Sequence, residues 1–126
     1  MTQGVDDMAW NFSADRPVYI QIADRIKKLV LSGEYPAGEQ LMTVRQLALT
    51  AAVNPNTVQR AFLELEDEGI IVSKGTTGRF VTEDKTAIEA CREKMAQQIV
   101  KNFVREMREL SVDPEQVIKL MKEESL

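Results

Sequence analysis

Thr43–Gly69, TVRQLALTAAVNPNTVQRAFLELEDEG, reads as two short helices joined by a tight turn. Asn54 suits the N-cap of the second helix, where a side-chain oxygen accepts a free backbone N–H of the first turn. Pro55 follows at the first helical position, where a missing N–H costs nothing and the fixed φ already suits a helix. Val58, Ala61, Phe62 and Leu65 then fall at i, i+3, i+4 and i+7, an apolar stripe for packing. Asn56, Gln59 and Arg60 lie on the opposite side, Thr57 on its flank, and Gly69 closes the helix at C′. The preceding helix, Thr43 to Thr50, carries the same kind of stripe in Val44, Leu47 and Ala48. It ends in the linker Ala51–Ala52–Val53.

Taken alone, a polar helix face with one arginine is ordinary solvated surface. Two features weigh against that reading. Asn, Gln and Arg are the side chains whose donors and acceptors match adenine and guanine edges in a major groove. In addition, Gln40 to Leu63 contains no Asp or Glu, only Arg45 and Arg60, in a chain with 20 acidic residues. A surface kept clear of carboxylates suits phosphates. Together they predict a helix-turn-helix whose second helix reads double-stranded DNA.

Composition bounds the alternatives. The 126 residues make one domain, or one with a small appendage. The net charge of −4 argues against nucleic acid only if charge is uniform. It is not: residues 41–63 and 69–82 hold basic residues without an acid, while Glu64, Glu66, Asp67, Glu68 and the C-terminal third hold the carboxylates. The chain has no histidine, which removes His metal sites and Ser-His-Asp or Cys-His catalysis together. No Gly-rich phosphate loop is present. No enzyme activity, metal or cofactor is therefore expected. One cysteine, Cys91, forbids an internal disulfide and fits a reducing cytoplasm. No apolar run long enough for a membrane span and no signal peptide are visible, so a cytoplasmic location is expected.

Working outward, residues 1–8 are polar and predict a frayed end. Trp10 and Phe12 alternate around Asn11, as in a short strand or in a loop that anchors two aromatics. Asp15 and Pro17 precede a helix through Ser32 with Ile22, Ile26, Leu29 and Val30 on one face, stopped by Gly33. Tyr35–Pro36–Ala37–Gly38 makes a turn into Leu41. After Gly69 the period shifts to 2: Ile70–Val72 and Phe80–Thr82 form a hairpin around Gly75–Thr76–Thr77–Gly78. A hairpin directly after a recognition helix stands where a wing would, with Lys74 and Arg79 expected at its tip; a plain core-covering hairpin is the alternative.

From Asp84 the chain is helical, with Thr86–Glu89 reading as a capping box. Ile88, Met95, Ile99, Phe103, Met107 and Leu110 form a stripe of about six turns. After a break at Ser111, Asp113–Pro114 restarts a short helix with Val117, Ile118 and Met121 inward. This helical hairpin is too thin to bury its own apolar face, so residues 84–126 are expected to be a dimerisation tail behind a DNA-binding domain at residues 10–82. Cys91, at one edge of the stripe, reads as inert packing.

Several ordered motifs carry a family resemblance: Pro17–Val18–Tyr19–Ile20–Gln21–Ile22, Pro36–Ala37–Gly38 with Leu41, Thr43–Val44–Arg45–Gln46–Leu47–Ala48, and Asn54–Pro55–Asn56–Thr57–Val58–Gln59–Arg60–Ala61. The chain resembles the GntR family of bacterial transcription regulators, and its tail of only two helices resembles the YtrA-like branch. The resemblance implies a winged helix-turn-helix homodimer on a pseudo-palindromic operator, usually as a repressor. By motif position it implies DNA contacts from Thr43 and Arg45 at the second helix. It implies further contacts from Asn54, Asn56, Thr57, Gln59 and Arg60 on the recognition helix, and from Lys74, Gly75, Thr76 and Arg79 in the wing. Met42 stands where the family usually has proline, and Thr76–Thr77–Gly78–Arg79 replaces the usual Gly-x-Gly-Thr.

The expected fold is mainly α with a small β-hairpin, a winged helix-turn-helix followed by a two-helix hairpin. The alternative function is a winged-helix module that binds protein without reading DNA. No segment is large enough for a separate sensory domain, so no effector is named and no ligand-sized pocket is expected within a protomer.

Overall fold

In a computed structural model that describes residues 10–124, Pro17 leads into α1, Val18–Ser32. This helix buries Ile22, Ala23, Ile26 and Val30, while Leu29 is half-buried. Gly33 ends it in the left-handed conformation, its N–H returning to the Val30 carbonyl. The expected fraying of residues 1–8 lies outside the described residues. Trp10 and Phe12 sit in irregular chain with ring centroids 6.1 Å apart, so the loop alternative holds and the strand does not.

The helix-turn-helix follows as α2, Val44–Ala51, and α3, Pro55–Asp67. Leu47, Ala48 and Ala51 of α2 and Val58, Ala61, Phe62 and Leu65 of α3 are buried. Burial of a large apolar side chain is worth ~1.5–3 kcal/mol, so the α3 stripe fixes which face the helix turns outward. The turn between the helices passes through Ala52 at φ 56°, ψ 48°. This is a left-handed position held by a residue with a Cβ, at a cost of ~1–2 kcal/mol. Lys27, buried on α1, ties the far end of α3 to it: its Nζ lies 2.6 Å from Glu68 Oε2 and 3.8 Å from Asp24 Oδ1.

The hairpin consists of β1, Ile71–Ser73, and β2, Arg79–Val81, antiparallel with Ile71 opposite Val81 and Ser73 opposite Arg79. A 3-10 turn, Gly75–Thr77, joins them. The segment after α1, read from sequence as only a turn, supplies a third, strand-like edge. Leu41 N–H donates to the Arg79 carbonyl at 2.8 Å, Val81 N–H to that of Glu39 at 2.8 Å, and Gln40 bridges Phe80. Two strands of three residues are marginal alone, and this edge together with buried Ile70, Ile71 and Val81 holds them in place.

The tail forms α4, Lys85–Glu109, and α5, Pro114–Glu123. The N-cap of α4 is Asp84 and not Thr86: Asp84 Oδ1 accepts from Thr86 N–H at 2.9 Å and from its hydroxyl at 2.6 Å. Thr86 lies inside the helix, so the expected capping box does not form. The chain divides into two compact units, one running to Cys91 and the other beginning at Arg92. Half-buried Ile88 and buried Cys91 belong to the first. In the second, Ser111 turns the chain at φ 58° and Asp113 Oδ1 caps α5 by accepting from Gln116 N–H at 2.8 Å. Within it Met95, Phe103, Met107 and Val117 are half-buried, while Ile99 is 61% and Leu110 71% exposed, and Ile118 and Met121 are exposed as well.

Candidate nucleic-acid interface

The expected DNA-contacting residues fall into three groups. The first caps the helices. Asn54 Oδ1 accepts from Asn56 N–H at 2.8 Å, which opens α3. Thr43 Oγ1 accepts from Gln46 N–H at 3.1 Å while Gln46 Oε1 accepts from Thr43 N–H at 2.9 Å, a complete capping box on α2. Thr-x-x-Gln at 43–46 is the sequence signature of that box. Both caps leave donors to spare, the Thr43 hydroxyl proton and the Asn54 amide N–H groups.

The second group stands outward. Arg45 and Asn56 are exposed, and Thr57 is half-buried on the flank of α3. Arg60 is exposed and stacked, its guanidinium carbon 4.0 Å from the centroid of the Tyr19 ring. Stacking uses the face of the guanidinium and leaves its in-plane N–H donors available. Tyr19 is thus a supporting residue whose position in the Pro17–Ile22 motif was visible in sequence but whose partner was not.

The third group belongs to the wing. Lys74, Gly75 and Thr76 occupy the exposed tip, with Lys74 Nζ 4.7 Å from the centroid of Phe80. Gln40, which sequence reasoning missed, pins the tip by donating from Nε2 to the Thr77 carbonyl at 2.7 Å. Gly78 makes that possible. Its φ of 122° is in the glycine-favouring region, and a Cβ there would lie 2.6 Å from Gln40 Nε2. Arg79, expected at the tip, is instead the first residue of β2. Its Nε donates to Glu66 Oε1 at 2.5 Å and its Nη2 to Gln59 Oε1 at 3.4 Å. Gln59 is correspondingly half-buried on the wing-facing flank of α3, away from the centre of the polar face.

Asn56, Thr57 and Arg60 therefore share one side of α3. The carboxylates of the Glu64–Glu68 run gather at the other end of α3, where Glu66 and Glu68 are paired with Arg79 and Lys27. No group of His, Cys, Asp or Glu among the described residues is arranged to hold a metal. Against the expectation of no ligand-sized pocket within a protomer, an open hollow of about 310 Å³ lies between α1 and the chain before it, bounded by Phe12, Arg16, Asp24, Arg25 and Lys28. No described helix is long and apolar enough to cross a membrane.

Comparison with known proteins agrees with this geometry. Residues 18–81 match the pattern of bacterial regulatory proteins of the gntR family. The chain is 32% identical over 111 residues to the HTH-type transcriptional regulator YhcF of Bacillus subtilis, covering 88% of this chain and 92% of that one. It is 34% identical over 108 residues to the HTH-type transcriptional repressor YtrA of the same organism, covering 85% and 83%. A GntR family transcriptional regulator from Listeria monocytogenes superposes with a TM-score of 0.82 at 39% identity, covering 90% of this chain and all of that one. With its helix-turn-helix, its wing and its two-helix tail in that order, the chain belongs to the gntR family of bacterial regulatory proteins and is a DNA-binding transcription regulator.

Proposed function

We propose that the protein is a cytoplasmic repressor that binds a pseudo-palindromic operator as a homodimer. The N-terminal half of α3 enters the major groove and the wing tip lies along the adjacent backbone. The observation that carries this reading is exposed Asn56 and stacked Arg60 on one side of the N-terminal half of α3, within a stretch, Gln40 to Leu63, that holds no carboxylate. Asn56 and Arg60 read base edges. Arg45, Lys74, the spare donors of Thr43, Asn54 and Thr57 and the N-terminal dipoles of α2 and α3 hold phosphates. The second unit supports the dimer: Ile99, Leu110, Ile118 and Met121 are large apolar groups left in water by a single chain. A two-fold axis buries them mutually, with Met95, Phe103, Met107 and Val117 beneath, and Ile88 at the start of the same helix. The same axis presents two recognition helices to successive major-groove faces.

A gel-shift titration against the DNA upstream of the protein's own gene, over a range of salt, tests the proposal. Specific binding whose affinity falls steeply with salt is expected, the log–log slope being roughly −0.9 per phosphate neutralised. Equal affinity for unrelated duplexes would sink it and leave the protein-binding module in its place.

A further inference from the structure

We propose that Arg79 does not meet DNA but braces the wing against α3 and fixes Gln59 as a hydrogen-bond donor. This rests on the DNA-binding reading above. Gln59, Phe62 and Glu66 occur at i, i+3 and i+7 of α3 and so share its wing-facing flank. The Arg79 guanidinium occupies all three: it donates to Glu66 Oε1, donates to Gln59 Oε1, and lies 5.2 Å from the centroid of Phe62. Its backbone carbonyl meanwhile accepts from Leu41 N–H. One residue therefore links the recognition helix, the wing and the strand-like edge.

Two consequences follow from the chemistry. The positive charge nearest the root of the wing is neutralised by a carboxylate in a half-buried pair, so little of it is left for phosphate. The Gln59 carboxamide has its oxygen engaged, so what it offers outward is its amide N–H groups. A glutamine needs both oxygen and nitrogen to pair bidentately with adenine N6 and N7. Accepting from Arg79 uses one of the two lone pairs of the Gln59 oxygen and turns it toward the wing. Gln59 therefore favours an acceptor partner, a phosphate oxygen or the O6/N7 edge of guanine, over bidentate pairing with adenine.

Operator titrations of the full-length protein, Arg79→Ala, Glu66→Ala and the double variant, each at several salt concentrations, separate a brace from a contact. If Arg79 touched phosphate, Arg79→Ala would lower the salt slope by about one per subunit. Glu66→Ala, by removing a carboxylate beside the wing and freeing the arginine, would tighten binding. The brace requires the opposite: each single variant binds roughly 3- to 30-fold more weakly at unchanged slope, and the double variant is no worse than the weaker single. Tighter binding by Glu66→Ala, or a reduced slope in Arg79→Ala, overturns the proposal.

Amide exchange in the DNA-free proteins supplies an independent arm. Lys74 and Val81 amides should exchange several-fold faster in both single variants, with Ile26 in α1 unchanged. Unaltered wing exchange overturns the brace without touching the function. A wild-type protein that fails to prefer its operator counts against the function and leaves this arm to decide the brace.

Discussion

At the scale of single residues, the proposed reading separates side chains that specify from side chains that support. Asn56→Ala and Arg60→Ala should each relax preference at particular operator positions by ~1–3 kcal/mol, measured by competition among single-base variants of the operator. Unchanged preference in both would mean that another face of α3 meets the bases. Tyr19 adds a finer distinction. Its ring lies 4.0 Å from the Arg60 guanidinium carbon, so Tyr19→Ala should weaken operator binding by ~0.5–1 kcal/mol, whereas Tyr19→Phe keeps the ring face and should change little. Equal losses from Ala and Phe would place the effect in the hydroxyl and not in the stack.

At the scale of elements, α2, α3, α4 and α5 each start on a side-chain cap, whereas α1 starts at Pro17 without one. Ala52 holds the turn of the helix-turn-helix at positive φ, so Ala52→Gly exchanges backbone strain of ~1–2 kcal/mol for a smaller entropic loss. A higher thermal midpoint is expected from calorimetry, and a lower one would show that the Ala52 methyl is packed. The start of α4 is sensitive to pH. The Thr86 hydroxyl, then its N–H, donate to Asp84 and hold its carboxyl below the ordinary aspartate value of 3.8. A depressed folded-state pKa gives stabilisation that is complete above the unfolded value and lost as pH falls through the folded one. The first turn of α4 should therefore fray only in that acid range. Amide shifts of Thr86 and Ala87 would report it, and Asp84→Asn, which keeps a capping oxygen but does not titrate, should remove the transition.

At the scale of the whole molecule, the tail has to justify its apolar surface. Ile99 is 61% exposed in one chain, and burying such a side chain is worth ~1.5–3 kcal/mol per subunit. Ile99→Glu should yield a folded monomer by sedimentation, with operator affinity falling toward that of a half-site as the gain from linked sites disappears. A chain ended at Arg92 should behave alike. That end point keeps buried Cys91, which a cut after Thr82 would remove along with half-buried Ile88. A dimer that persists in both variants would assign the tail some other role.

Sequence alone determined the helices, the hairpin and the outward face of α3, because these depend on local chemistry. The Asn54–Pro55 start, the 3.6-residue stripe through Val58 and Leu65 and the change of period at Ile70 are each written within a few residues. Sequence did not determine what those elements do to one another's side chains. Arg79, Gln59 and Glu66 lie 13 to 20 residues apart across the pairing, and nothing local marks an arginine as engaged by a distant glutamate instead of free for phosphate. The same holds for Tyr19 beneath Arg60, for Gln40 at the wing tip, 37 residues from Thr77, and for buried Lys27 on Glu68. Polar and charged groups find partners only when packing brings them together. The tertiary structure therefore decided which of these side chains are engaged by another element.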